Sequence, residues 1–337
     1  MGVPAFLVLG AGAWGTALAS VLAAGGRRVL LWGRDAAALR ALEATRENAR
    51  YLPGIRLPDS LGIVEALAEI PAHCTQAVLA TPCQTTREIC RLLAATAPQV
   101  RGIVCAAKGL ERATGRLVHE VVREELGADV DVAVLSGPNF AREVAERRPA
   151  AVTIAADRTE FGAALLAAFH TAFFRPYLSE DLVGVAVGGS VKNALAIAAG
   201  IGDGLRLGAN SRAALITRGL AEIARLGVAL GARAETFMGL SGLGDLVLTC
   251  TDDLSRNRRF GLALGRGTSP EVAAADIGLV EGAATAPAVA ALGARLRVEV
   301  PIVEQVAAVL AGHTTPAAAV AALMAREPRA EDRAWRR

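Results

Sequence analysis

The sequence predicts an α/β N-terminal domain with a mostly parallel sheet, followed by an all-α C-terminal domain. Three observations predict it. Short apolar runs of strand length alternate with helical stretches as far as residue 182. The first run leads directly into a glycine-rich loop and a helix. Beyond residue 182 the strand pattern fades and helical periodicity takes over. The expected division is therefore 1–182 and 183–337.

The first element is the strand "AFLVL", Ala5 to Leu9, and it ends in G-x-G-x-x-G at Gly10, Gly12 and Gly15. A helix follows to Ala24 and stops at Gly25-Gly26, and "RRVLLWGR" forms the second strand. Strand, glycine loop, helix and strand in that order are the setting that a Rossmann-like dinucleotide site requires. Gly10 permits the tight turn, Gly12 lets backbone approach a pyrophosphate, and Gly15 lets the helix pack on the strand. The amides at the helix start face the anion. Trp14 either lies against the cofactor or packs beneath the following loop.

The second strand ends in Gly33 and Arg34, with Asp35 one step later. A guanidinium at this place suits the extra phosphate of NADP, so NADP(H) is favoured, with NAD(H) as the alternative. Asp35 either reaches a ribose hydroxyl or caps the next helix.

Further strands are expected at "QAVLAT" (76–81), "RGIVCAAKGL" (101–110), "DVAVLSGPNF" (131–140), "AAVTIAA" (150–156) and "FRPYLS" (174–179), with a helix from Thr86 to Ala95. Ligands of open parallel sheets lie beyond the strand carboxyl ends. Lys108 and the Ser136-Gly137-Pro138-Asn139 turn fall there. Lys108 is either a ligand contact or a solvated loop lysine. The turn is either functional or a helix cap made by Ser136 or Asn139.

In the C-terminal half, a helix from Leu182 to about Ala199 is followed by "NSRAALITRGLAEIARLGVALG" from Asn210, which places Leu215, Leu220, Ile223 and Leu226 near one face. The glycine-rich "GLSGLGDLVLTC" (239–250) comes next, then "TDDLSRNRRFGLALGRG" and the helical "SPEVAAADIG", "EGAATAPAVAALGARL" and "PIVEQVAAVLAG". The charged tail from Glu327 is expected to fray.

Lys192 and Asn193 stand inside the almost wholly apolar first helix. A lysine is seldom buried unless paired or functional. Lys192 either snorkels to the surface, pairs with a carboxylate such as Asp245, or serves as a proton donor shielded from water. A carbonyl that receives hydride becomes an alkoxide and needs such a donor.

Composition narrows the function classes. The chain has 337 residues, 53% hydrophobic and 20% charged, as in globular proteins. Its net charge of +3 is spread without a basic stripe, which argues against nucleic acid as a partner. The mean hydropathy of +0.39 raises an integral membrane protein as a rival. Lys192 and the α/β half argue against it. Five cysteines form no CxxC pair and four histidines no HxxxH or HExxH pair, so no metal site is expected. The odd cysteine count and the absence of a basic leader in "MGVPAFLVLG" point to the reducing cytoplasm, with the thiols acting as small buried hydrophobes.

The segments "GAGAWGTALA", "AAKGLE", "LSGPNFAREV", "GGSVKNALAIAAGIGDG", "AALITRGLAEIARLG", "GLSGLGDLVLTCT" and "SRNRRFG", in this order from residue 10 to about 261, give the chain a resemblance to the bacterial NAD(P)-dependent sn-glycerol-3-phosphate dehydrogenases. The resemblance implies reversible reduction of dihydroxyacetone phosphate, a small phosphorylated substrate, to sn-glycerol 3-phosphate, the backbone precursor of membrane phospholipids. It implies Lys192 as proton donor and acceptor, oriented by Asp245, and Lys108 as a contact to substrate and cofactor. Gly137, Asn139 and Asn193 would lie at the substrate. Ser255, Arg256 and Asn257 would hold it, with Arg256 on the phosphate and also touching the cofactor. Ala13, Trp14, Gly33, Arg34, Tyr51, Ala141, Val280 and Glu281 would touch the cofactor. A homodimer is compatible with this reading.

The chain departs from the family pattern at two places. Asn139 stands where Ser or Thr is usual, so a hydroxyl contact does not carry over. Ser190 replaces a common alanine and is expected to be tolerated as another small residue. Two other readings compete. A β-hydroxyacid dehydrogenase pairs its helix lysine with an asparagine four residues on, whereas here that residue is Ala196. A non-enzymatic NADP-binding sensor would need neither Lys192 nor the Arg256-Asn257 pair.

Overall fold

The computed structural model describes residues 6–328, 330 and 331. These residues form two compact units, one comprising residues up to Ala107 and Val118–Leu182, the other Lys108–Leu117 and Val183 onward.

The first unit is built on eight strands: β1 (Phe6–Leu9), β2 (Val29–Trp32), β3 (Leu61–Val64), β4 (Gln76–Leu79), β5 (Gly102–Cys105), β6 (Asp131–Ser136), β7 (Ala150–Ala156) and β8 (Phe174–Ser179). Their order is β3-β2-β1-β4-β5-β6-β7-β8. Neighbours are parallel except β6 and β7, which are antiparallel. The mostly parallel sheet expected from the alternating runs is thus present. The runs 150–156 and 174–179 are strands over their whole length, and "RGIVCAAKGL" is strand only at Gly102–Cys105.

Helices α1 (Ala13–Ala24), α2 (Ala36–Thr45), α3 (Thr86–Thr96), α4 (Val118–Leu126), α5 (Ala141–Ala145) and α6 (Thr159–Phe169) complete the unit. All four residues of β1 are buried, as a central parallel strand requires. Phe6, Leu18, Leu22, Phe161, Phe169 and Phe174 belong to the core beneath it. The chain turns to opposite sides of β1 on leaving it, through β2 and β3 on one side and β4 onward on the other. That reversal opens a crevice at the carboxyl ends of β1 and β4, where such sheets bind ligands.

The second unit holds α7 (Leu182–Gly204), α8 (Gly208–Ala229), α9 (Asp245–Thr251), α10 (Arg256–Gly265), α11 (Pro270–Ile277), α12 (Glu281–Leu296), α13 (Pro301–Leu310) and α14 (Pro316–Met324). α7 runs a full turn beyond Ala199. It is long and apolar enough to cross a membrane, but 83% of its most apolar window is buried inside the protein. A core helix meets the same length test as a membrane span. Its small residues let other helices approach closely: a Cβ added at Gly200 would lie 2.0 Å from the Arg258 carbonyl oxygen, and one at Gly261 2.0 Å from that of Ile197. This α7–α10 contact brings Asn257 beside Asn193.

All five cysteines are buried, and none forms a disulfide. Burial pushes the Cys250 thiol up to about 12, which keeps it protonated and apolar in behaviour.

Candidate active site

In the first unit the glycine loop connects β1 to α1. Gly10 has φ +119°, and a Cβ there would meet the Ala80 carbonyl carbon at 2.8 Å. One at Gly15 would lie 1.9 Å from the Gly10 oxygen, so both positions exclude any side chain. Gly12 differs, since a Cβ there would meet nothing within 4 Å. Open space therefore fronts the backbone at the start of α1. No side chain caps this helix, so its first amides remain available to an anion.

Asn48 fixes the loop from outside. It is buried, and its Nδ2 donates to the Ala11 carbonyl at 3.0 Å and to Thr16 Oγ1 at 2.8 Å. Sequence reasoning passed over Asn48 because "RENARYLPG" carries no periodicity and no motif spacing. Trp14 packs against the sheet-and-helix core, with its indole N–H buried and without an acceptor among the described residues. Arg34 is exposed beyond β2 and makes no ion pair with a described residue, and Tyr51 is exposed too. Asp35 caps α2 by accepting from the Ala38 N–H at 3.0 Å.

Of the two alternatives for the Ser136–Asn139 turn, the helix cap is not formed. Phe140 occupies the cap position of α5, without a side-chain bond. Asn139 Nδ2 instead donates to the Ala151 carbonyl at 3.0 Å, and Ser136 is the last residue of β6. Gly137, at φ +153°, turns the chain so that Asn139 meets β7 and not the helix start. Asn139 Oδ1 is buried with no donor among the described residues.

In the second unit α7, α9 and the segment after β5 converge on one carboxylate. Asp245 is fully buried at the start of α9. Its Oδ1 accepts a hydrogen bond from Lys192 Nζ, and its Oδ2 accepts from Lys108 Nζ at 2.6 Å. Lys192 Nζ also donates to Thr249 Oγ1 at 2.7 Å, while that hydroxyl donates to the Asp245 carbonyl one turn earlier. Lys192 thus neither snorkels nor reaches water, being 6% exposed. Lys108 is no solvated loop lysine either. Burial lowers the Lys192 ammonium to about 8; the charge of Lys108 works in the same direction, and Asp245 opposes both. An ammonium has three donors, so two fixed partners leave Lys192 one N–H for a reacting oxygen.

Beside this cluster, Asn257 Nδ2 donates to Asn193 Oδ1 at 3.0 Å, and Asn257 Oδ1 accepts from the Gly282 N–H at 2.9 Å. The bridge joins α7 and α10 to the start of α12, where Val280 is the cap residue and Glu281 lies in the first turn. Ser255 caps α10, accepting from the Arg258 N–H at 3.2 Å. Arg256 is therefore the first helical residue, exposed and without an ion pair to a described residue. Arg258 faces inward and binds Asp203 at 2.5 Å. A cavity of about 1270 Å³ elsewhere in this unit is lined by residues that include Ala198, Leu215, Glu222, Ile302 and Met324, and by none of the lysine–aspartate cluster.

Sequence reasoning missed Thr249. The signal was available, because Thr249 lies four residues after Asp245, on the same helical face. Among the described residues no cluster of His, Cys, Asp and Glu could hold a metal ion.

The models for the N-terminal and C-terminal parts of NAD-dependent glycerol-3-phosphate dehydrogenase match residues 6–162 and 181–321. A glycerol-3-phosphate dehydrogenase (NAD(P)+) of Stenotrophomonas maltophilia strain K279a is 50% identical over 325 residues, 96% of this chain and 95% of that protein. One from Xanthomonas euvesicatoria pv. vesicatoria is 50% identical with the same coverage. The crystal structure of glycerol-3-phosphate dehydrogenase from Coxiella burnetii superposes with a TM-score of 0.91 at 44% identity, over 95% of this chain and 98% of that one.

Proposed function

Because the chain belongs to the NAD-dependent glycerol-3-phosphate dehydrogenase family, we propose that it interconverts dihydroxyacetone phosphate and sn-glycerol 3-phosphate. The observation that carries this reading is the buried Lys192–Asp245–Lys108 cluster. We assign dinucleotide binding to residues 1–182 and substrate binding and proton transfer to residues 183–337, with Lys108 serving the second role as well.

The glycine loop fits a dinucleotide: its close-packed Gly10 and Gly15 hold the turn, and the open face at Gly12 leaves room for a pyrophosphate. We assign further cofactor contacts to Ala13, Trp14, Gly33, Tyr51 and Ala141 in the first unit, and to Val280 and Glu281 in the second. Arg34, exposed and without an ion pair to a described residue, would hold the 2′-phosphate of NADP(H) and favour it over NAD(H). When bound, the reduced nicotinamide supplies the hydride. Lys192 polarises the ketone and then gives its proton to the nascent alkoxide. In the reverse direction it accepts the alcohol proton.

Asp245 and Thr249 hold the ammonium at one point, and burial brings its proton affinity near neutrality, where general acids work best. Arg256 and the start of α10 offer a guanidinium fork and helix-end amides to the substrate phosphate, with Ser255 shaping that turn. Asn193, locked by Asn257, presents a fixed amide beside Lys192. Gly137 offers polar backbone, and the Asn139 Oδ1, which meets no donor among the described residues, offers an acceptor to a hydroxyl or amide. The product suits phospholipid synthesis, and five buried cysteines that form no disulfide suit the reducing cytoplasm.

A steady-state assay with dihydroxyacetone phosphate and each reduced cofactor tests the reading. Oxidation of NADPH, and more slowly of NADH, is expected. Failure of both to react would contradict it.

A further inference from the structure

Ser190 lies two residues before Lys192 on α7, fully within the protein interior. Its hydroxyl does more than fill space. Ser190 Oγ donates to the Ala186 carbonyl one turn back at 2.7 Å, which aims its lone pairs away from the helix. There it accepts from the Gly109 N–H at 2.9 Å, with the Gly109 carbonyl oxygen also close, at 3.2 Å. Gly109 has φ +150°, has no side chain to anchor it, and is the residue next to Lys108. The Lys108 ammonium in turn rests on Asp245 Oδ2 at 2.6 Å. An unbroken path therefore runs from Ser190 through the Gly109 backbone and Lys108 to the carboxylate that holds Lys192. An alanine at 190 would leave the first link without an acceptor.

We propose that Ser190 is a positioning residue: its hydroxyl clamps the backbone at Gly109 and so keeps the Lys108 ammonium on Asp245, beside the proton donor. The inference rests on the dehydrogenase reading above. The groups facing Lys192 are Asp245 and Cys250 on α9 and Lys108 on the segment after β5. Of these, Lys108 is the one the clamp controls. Its positive charge disfavours the protonated form of Lys192, so a looser Lys108 lets Lys192 hold its proton to higher pH.

The test uses the full chain as wild type, Ser190→Ala, Lys108→Met and the double variant. For dihydroxyacetone phosphate reduction, Ser190→Ala should raise KM for the ketone about 2–10-fold, the range of one lost hydrogen bond, with KM for NADPH unchanged. The basic limb of its pH profile should move to higher pH. In the Lys108→Met background the same change should do nothing further, since the clamp would have no ammonium left to place. Equal effects of Ser190→Ala in both backgrounds, or a lowered Tm with unchanged KM and pH limb, would overturn the proposal. One readout is independent of turnover: trace acetylation of Lys108, followed by mass spectrometry, should rise in Ser190→Ala. Unchanged labelling would overturn the clamp even if the wild type reduced no ketone, whereas increased labelling without turnover would uphold the clamp and reject only the reaction.

Discussion

Lys192 Nζ donates to Asp245 Oδ1 in the interior of the helical unit, and Asp245 is shared with a second cation, Lys108. Two ammonium groups on one buried carboxylate leave net positive charge where a ketone oxygen would turn negative. The arrangement also fixes the direction of the pH response. Reduction needs protonated Lys192, so its rate should fall as pH rises through about 8, where burial has placed this group. Oxidation needs the neutral amine and should rise through the same window. Asp245→Asn removes the charge that favours the protonated lysine, so the limb for reduction should move to lower pH and kcat should fall. An unmoved limb in folded Asp245→Asn would show that another group titrates.

Arg34 tests cofactor choice. Arg34→Ala should weaken NADPH more than NADH, by on the order of 1–3 kcal/mol for a lost charge-assisted contact. Dissociation constants for both cofactors decide it, and equal losses would remove Arg34 from the 2′-phosphate.

Arg256 tests the phosphate site. Arg256→Ala should raise KM for dihydroxyacetone phosphate strongly, while dihydroxyacetone, which lacks the phosphate, should lose much less. Equal losses on the two substrates would make Arg256 structural.

Glu222 tests a part of the fold remote from this chemistry. It is buried on α8 and accepts from the Ile302 N–H at 2.8 Å and the Val303 N–H at 3.3 Å, in the first turn of α13. Burial pushes its carboxyl from 4.5 up to about 7, so between these values the folded state holds a proton that the unfolded chain has released. Stability from this group is therefore present below that window and lost as pH rises through it. Glu222→Gln does not titrate, and its stability relative to wild type should rise with pH across the window. A pH-independent difference in denaturant midpoint would refute the shift.

The Rossmann-like half was legible because its signals are local. A glycine loop between two apolar strands states its own conformation, and a fully buried strand such as β1 stands out as a continuous apolar run. The edge strand β3 was missed because "LGIV" is short and sits among turn residues. Lys192 was legible as an anomaly, a cation in an apolar helix, and the same reasoning named Asp245 as its partner. Thr249 and the Ser190 clamp were not, because a single hydroxyl in a helix looks alike whether it faces solvent, its own backbone or an ammonium 57 residues away in sequence. For the Ser136–Asn139 turn the sequence leaves a functional role and a helix cap open; the contact of Asn139 with Ala151 depends on β7 lying alongside, which local sequence does not encode.

If Lys192 is the proton donor, turnover by Lys192→Met is the deciding measurement. The variant keeps the apolar stem and removes charge and proton together. It should fold, as judged by thermal unfolding, and bind NADPH as the wild type does, while kcat for dihydroxyacetone phosphate reduction falls by about 10²–10⁴, the range for losing a general acid. Near-normal kcat in a folded Lys192→Met enzyme would remove Lys192 from proton transfer and leave it a structural partner of Asp245.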